Sequence, residues 1–137
     1  MQTDTFDVVV IGAGAPGENV AGAVVKGGLS CAIIESDLIG GQCSYWACMP
    51  SKALLRPWAA LSAAREVPGI DAAPALDPTA VLASRDAFAS HWRDDSQVEW
   101  LESAGVALFR GHAQLAGERR VDVATRAGEA AQLIARH

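Results

Sequence analysis

Apolar residues along this chain fall into two rhythms. Phe6 to Ile11 is a short β-branched run that ends at a glycine turn, the pattern of a strand buried in a parallel sheet. From Pro16 to about Lys26 the spacing becomes helical, with proline in the first turn and Gly27-Gly28 at the end. Ser30 to Glu35 then makes a second strand. The β-α-β unit so formed takes about 30 residues, the size of one dinucleotide-binding half, and its crossover is expected to be right-handed.

The helical rhythm returns from about Tyr45 to Arg65, and Pro68, Pro74 and Pro78 mark a surface loop of roughly ten residues after it. Pro78 predicts the start of one long helix running towards Ser103, with Asp77 as its cap and Gly105 as its stop. This Trp-bearing helix is expected to pack on its own domain rather than on a partner subunit. Three short strands follow, Val106 to Leu115, Arg120 to Ala124 and Ala131 to Ala135, separated by Gly117 and Gly128. The fold class predicted is α/β: a Rossmann-like parallel sheet with helices, incomplete, plus a small C-terminal β-strand region.

Composition narrows the functions open to such a fold. The chain has 137 residues, half of them hydrophobic, which is one domain by length with enough apolar material for a core. A net charge of −5, with no basic run longer than Arg119-Arg120, leaves no electrostatic footprint for nucleic acid or an anionic membrane. No signal peptide or membrane span is legible, so the expected compartment is the cytoplasm. Cys31 sits in an apolar run and reads as a small buried hydrophobe. His91, His112 and His137 are scattered, and no second Cys/His pair completes a zinc site.

Two motifs carry chemistry. In Gly12-Ala13-Gly14-Ala15-Pro16-Gly17 the first glycine permits a tight strand-to-helix turn, the second lets backbone approach a pyrophosphate, and the third lets helix pack on strand. Phosphates would meet the helix N-terminus, where N–H groups and the dipole favour anions. Glu35 closes the second strand 23 residues after Gly12, the place for an acid that accepts from ribose hydroxyls. The whole context of strand, helix and terminal glutamate agrees with dinucleotide binding.

The second motif is Cys43-Ser44-Tyr45-Trp46-Ala47-Cys48-Met49-Pro50-Ser51-Lys52. A disulfide needs Cα atoms within ~7 Å, whereas residues five apart in a regular helix are roughly 8.7 Å apart, so both cysteines cannot lie in ideal helix. The Gly40-Gly41 entry suggests Cys43 at or before the first turn and Cys48 further in. A thiolate there would gain from the helix dipole and from Lys52. A pair of reduced core cysteines is the competing reading.

These residues resemble the pyridine nucleotide-disulfide oxidoreductases, which include dihydrolipoyl dehydrogenase, glutathione reductase and mercuric reductase. The family's redox motif, GGxCxxxGCxPSK, stands here as GGQCSYWACMPSK, with Ala47 for the usual glycine and Ser44 for a usual aliphatic residue. Alanine at that place is harmless if its dihedrals are helical. The resemblance is strong from Phe6 to Lys52 and weaker from Gly105 to Val123.

By matching position, it implies that Gly12, Gly14 and Gly17, with Ala15 and Pro16 between them, hold the FAD pyrophosphate. Glu35 and Ser36 would lie at the adenosine ribose, and Gly41 and Gln42 along the cofactor. It makes Cys43 the interchange thiol that meets substrate and Cys48 the charge-transfer thiol beside the flavin, and it places Lys52 near flavin N5. Gly111-His112-Ala113 resembles the segment whose backbone contacts the flavin adenine.

The resemblance further implies NAD(P)H as electron partner, a small disulfide or dithiol as substrate, and a homodimer for the full-length family. A nicotinamide domain, an interface domain and a C-terminal His-Glu pair are expected of the family and are absent from these residues. The chain is therefore expected to be the N-terminal part of an FAD-binding domain, inactive by itself. Two rivals stand beside this reading: a nucleotide-binding fragment or gene remnant without redox cycling, and a flavin-independent dithiol carrier.

Overall fold

A computed structural model describes residues 2–70, 75–125 and 128–137; Pro74, expected in the loop, lies outside them. In chain order the elements are β1 (Gln2–Phe6), β2 (Val8–Ile11), α1 (Ala15–Lys26), β3 (Cys31–Glu35), α2 (Gly41–Tyr45), α3 (Cys48–Arg65), α4 (Pro78–Phe88), a 3-10 turn (Ser90–Trp92), α5 (Asp95–Ala104), β4 (Ala107–Leu115), β5 (Arg120–Thr125) and β6 (Ala130–Ala135). They make two compact units, Met1–Gly41 with Asp94–His137, and Gln42–Arg93.

The first unit is a six-stranded sheet in the order β1-β6-β5-β4-β3-β2. Its β2, β3 and β4 are parallel, in register Val8 with Cys31 and Ala32 with Ala107, as the β-α-β pattern requires. The last three strands form an antiparallel meander, and β1 runs parallel to β6. This is the α/β class expected, with the β-rich C-terminal region in place.

Strand β3 explains why the sheet has a core on both faces. Cys31, Ala32, Ile33 and Ile34 are all buried. Successive side chains of a strand point to opposite faces. Cys31 and Ile33 accordingly pack with Ala21 of α1 and Leu101 of α5, while Ala32 and Ile34 pack with Val121, Val123 and Leu133 of the meander. Cys31 is thus the apolar core residue expected, and burial pushes its thiol pKa up.

The expected strand Phe6 to Ile11 is divided. Phe6 ends β1 opposite Ala135, and β2 begins only at Val8. Asp7 causes the break because its groups are taken by polar partners. Its carboxylate accepts Ser30 N–H at 2.8 Å and Ser30 Oγ–H at 2.6 Å, and Arg136 Nη1 at 2.8 Å. Its own N–H donates to Ser30 Oγ at 2.8 Å.

The Ser30 hydroxyl foremost, then the Arg136 guanidinium and the Ser30 backbone, hold the Asp7 carboxyl far below the ordinary carboxylate range. A pKa depressed by folding contributes stability that is complete above the unfolded value of about 4 and is lost as pH falls towards the folded one. An acid-unfolding series should therefore show a steeper loss below about pH 4 in the wild type than in Asp7→Asn. Identical slopes would dismiss this source of acid sensitivity.

The long helix expected from Pro78 to Ser103 is a correction. Both ends are as predicted: Asp77 Oδ1 accepts Thr79 N–H at 2.9 Å, and Gly105 stops the run with φ +75°. Between them the chain leaves the helix. Ser90, His91 and Trp92 have φ of +49°, +51° and +56°, a left-handed excursion that the periodic pattern of apolar residues does not show. Packing within the second unit favours it, since the Trp92 ring lies 6.1 Å from that of Trp46 and under the Arg85 guanidinium at 5.4 Å.

A left-handed non-glycine residue costs about 1–2 kcal/mol, and glycine adds back about 0.5–1 kcal/mol of unfolded-state entropy. His91 is exposed, so its side chain has little packing to lose. His91→Gly should raise stability by about 0.5 kcal/mol in urea unfolding; a loss would mean that the imidazole itself is needed there.

Candidate functional site

Each fingerprint glycine has a different physical reason. Gly12 adopts φ +95°, which side-chain-bearing residues avoid, and a Cβ there would meet nothing within 4 Å. Gly17 sits so close to the strand end that a Cβ would run into the Gly12 carbonyl oxygen. Gly14 has neither need. Its φ of −73° and ψ of 178° suit any residue, and the nearest atom to a Cβ would be Pro16 Cδ at 3.9 Å.

Gly14 is the N-cap of α1, and no side chain caps that helix. The missing Cβ therefore leaves open space in front of the helix N-terminus rather than relieving strain or a clash. Ala15 and Pro16 open the helix and are exposed. Gly41 packs on the same turn, with φ +56° and room for no Cβ, since one would lie 2.9 Å from Gly14 Cα.

The turn is tied to β3. Glu35 Oε2 accepts Ala13 N–H at 2.8 Å and Oε1 accepts Asp37 N–H at 2.8 Å. Each carboxylate oxygen still has a lone pair for another donor. Gly12, Glu35, Ser36, Gly111, His112 and Ala113 line one small cavity of about 110 Å³, so residues read from three separate motifs meet in space. Gly111 is required there because a Cβ would strike the Ala124 carbonyl across the β4–β5 ladder.

The second unit holds Cys43 and Cys48. Cys43 lies in the first turn of α2, as expected, whereas Cys48 is not further into the same helix but the first residue of a second one, α3. The helix is interrupted at Ala47, whose φ of −128° and ψ of −88° are not helical. The helical dihedrals that would make alanine harmless at this place are therefore not found. The break removes the obstacle set by regular helix geometry.

Cys43 is half-buried and Cys48 exposed. Hydrogen bonding to the Cys48 thiol raises the Cys43 pKa, burial and the Cys48 charge add to this, and the Lys52 charge opposes it. Cys43 is thus not the acidified thiol of the reduced pair. Lys52 stands one turn after Cys48 on the same side of α3 and lines a cavity of about 310 Å³ with Arg56, Pro57, Ser84 and Phe88. Gln42 is exposed at the start of this unit. Tyr45 is its anchor, fully buried, with its hydroxyl donating to Arg93 O at 3.3 Å.

Among the described residues, no cluster of three His, Cys, Asp or Glu side chains is placed to hold a metal, and no helix is long and apolar enough to cross a membrane. Over residues 6–135 the chain matches the family model of pyridine nucleotide-disulphide oxidoreductases. The chain belongs to this family.

Curated members agree. Dihydrolipoyl dehydrogenase 3 of Pseudomonas aeruginosa is 39% identical over 97% of the chain. Glutathione reductase of Burkholderia cepacia is 34% identical over 90%, and mercuric reductase of Streptomyces lividans 32% over 96%. The chain spans 29%, 28% and 29% of those three relatives respectively.

Sequence reading missed two residues that support the site, Asp94 and Arg110. Asp94 Oδ2 accepts Ile39 N–H at 2.7 Å and pairs with Arg110 Nη2 at 2.7 Å. Neither has a motif signature. Asp94 falls inside what reads as continuous helix, and only its burial reveals it.

Proposed function

We propose that this chain is the N-terminal part of an FAD-dependent disulfide oxidoreductase resembling dihydrolipoyl dehydrogenase, with NAD(P)H as the electron partner of the complete enzyme. The observation that carries the proposal is Gly14, a glycine that neither backbone conformation nor packing demands, at an uncapped helix N-terminus. The residues fit a dinucleotide: phosphate oxygens at Gly12 to Gly17, ribose hydroxyls at Glu35 and Ser36, and adenine along the backbone of His112 and Ala113. The roles of Gly41, Gln42 and Lys52 towards the cofactor rest on the family resemblance alone.

Bound FAD would supply a two-electron relay between a nicotinamide and the cysteine pair. In the reduced pair the hydrogen bond to Cys48, with burial, favours the protonated form of Cys43, and the Lys52 charge opposes this. After losing that proton, Cys43 attacks a substrate disulfide. One substrate thiolate leaves, protonated by solvent, and a mixed disulfide forms. Cys48 then displaces the second substrate thiol and closes the Cys43–Cys48 disulfide, so that the two electrons lost by the cysteines reside in the substrate dithiol.

Thiol counting tests the redox half of this reading. Under denaturing conditions the oxidised chain should show one reactive thiol, Cys31, and three after mild reduction. Cys48→Ser should show two in both states. An unreducible pair that leaves three thiols throughout would favour the rival reading of a nucleotide-binding fragment without redox cycling. The chain alone is expected to show no NADH- or NADPH-dependent reduction of lipoamide, and turnover in that assay would overturn the view that further domains are required.

A further inference from the structure

Asp94 is the one charged residue in the buried class among those described, at 8% exposure. It is also the N-cap of α5, a position where aspartate ordinarily accepts an N–H of its own helix. It makes no such bond. Its Oδ2 instead accepts Ile39 N–H and the Arg110 guanidinium, and Arg110 Nη1 donates to the Asp37 carbonyl at 2.7 Å. One ion pair therefore grips a short loop at two backbone groups of opposite polarity.

That loop joins β3 to α2 and backs the phosphate-binding turn. One residue after Ile39, Gly40 N–H donates to the Ala13 carbonyl at 2.7 Å, and Gly40 forms a parallel bridge with Gly14. Ile39 is fully buried beside Ala13 in the same core cluster, so movement of the loop would be felt at the turn. A buried ion pair is weak evidence for stability, because desolvation offsets most of the attraction. Its geometry here is better explained by placement.

We infer that Asp94 and Arg110 are a positioning pair, holding the Asp37–Ile39 loop so that Gly40 and Gly41 support the Ala13–Gly14 turn in its ligand-ready shape. The inference rests on the dinucleotide reading above. Neither residue touches the ligand, so the effect on binding is indirect.

The test compares wild type, Asp94→Asn and Arg110→Lys. The asparagine can still accept Ile39 N–H but loses the ion pair. The lysine keeps the charge but cannot bridge Asp94 and the Asp37 carbonyl as a fork. Backbone amide exchange is read at Ile39 and Gly40 against Leu133, a fully buried core residue in β6. Titrations with ADP and with FAD, scaled to the folded fraction, give affinities.

In both variants exchange at Gly40 should quicken about tenfold while Leu133 changes less than about twofold. Affinity for ADP and FAD should fall together by about tenfold. Uniform acceleration at all three amides would make the pair a general stabiliser and overturn the inference. A wild type that binds both ligands, with variants that bind them equally well, overturns the positioning role alone; a wild type that binds neither overturns the dinucleotide reading itself.

Discussion

Gly17→Ala is expected to destabilise the first unit by about 3 kcal/mol or more, at the upper end of overpacking effects. The added Cβ would overlap the Gly12 carbonyl, and Val10 Cγ1 lies only 3.4 Å from its position. Backbone oxygen cannot rotate away as a side chain would. Relief requires α1 to lift from the β2 end, which would pull Ala21 out of the core it shares with Cys31, Ile33 and Leu101. Urea unfolding followed by circular dichroism measures the effect. A loss under about 0.5 kcal/mol, the range of an ordinary surface substitution, would show that the helix has slack at this crossing.

Gly14→Ala should do the reverse: leave folding nearly unchanged and reduce FAD affinity by about 100-fold. The chain itself tolerates the methyl, since Gly14 has ordinary dihedrals and its nearest neighbour would be Pro16 Cδ at 3.9 Å. The space taken is the approach to the α1 N-terminus. Losing two charge-assisted hydrogen bonds to phosphate, at about 1.5 kcal/mol each, corresponds to about a 100-fold change in dissociation constant. Flavin fluorescence titration, with thermal unfolding as a control for the fold, separates the two effects. Equal affinity in the variant would remove the main support for phosphate binding at this turn. The contrast between the two alanines tests the proposal directly: packing within the chain requires Gly17, whereas Gly14 is required only if a ligand approaches the turn.

The relatives similar to this chain are named for three different substrates, and the chain spans less than a third of each. The features proposed above to face a ligand concern the cofactor and the cysteine pair. The family as a whole shares such features, and residues that would choose among substrates were expected, by resemblance, elsewhere in the full-length proteins.

Local rules carried much of the structure. β2, α1 and β3 were legible because a β-branched run, a glycine turn, a helical spacing and a terminal glutamate each constrain their own neighbourhood within a few residues. The same holds for the Asp77 cap and the Gly105 stop. What those rules could not reveal was a helix broken between two good ends. The left-handed turn at Ser90, His91 and Trp92 is accompanied by contacts with Trp46 and Arg85, residues several to tens of positions away, while the sequence around the turn itself remains helix-compatible.

The candidate site divides along the same line. The sequence by itself determined which residues have the chemistry: three glycines at the spacing of a phosphate turn, a glutamate at a strand end, two cysteines before Pro50 and Lys52. Only the tertiary structure decided why each glycine is there, one for its φ, one for close packing and one for open space, because that difference depends on atoms contributed by other segments. It also decided that Cys43 and Cys48 lie on either side of a helix break, and that a buried carboxylate 55 residues along the chain from Ile39 holds the loop behind the turn. Sequence proximity governs turns and caps, whereas burial and charge pairing join residues that the chain keeps far apart.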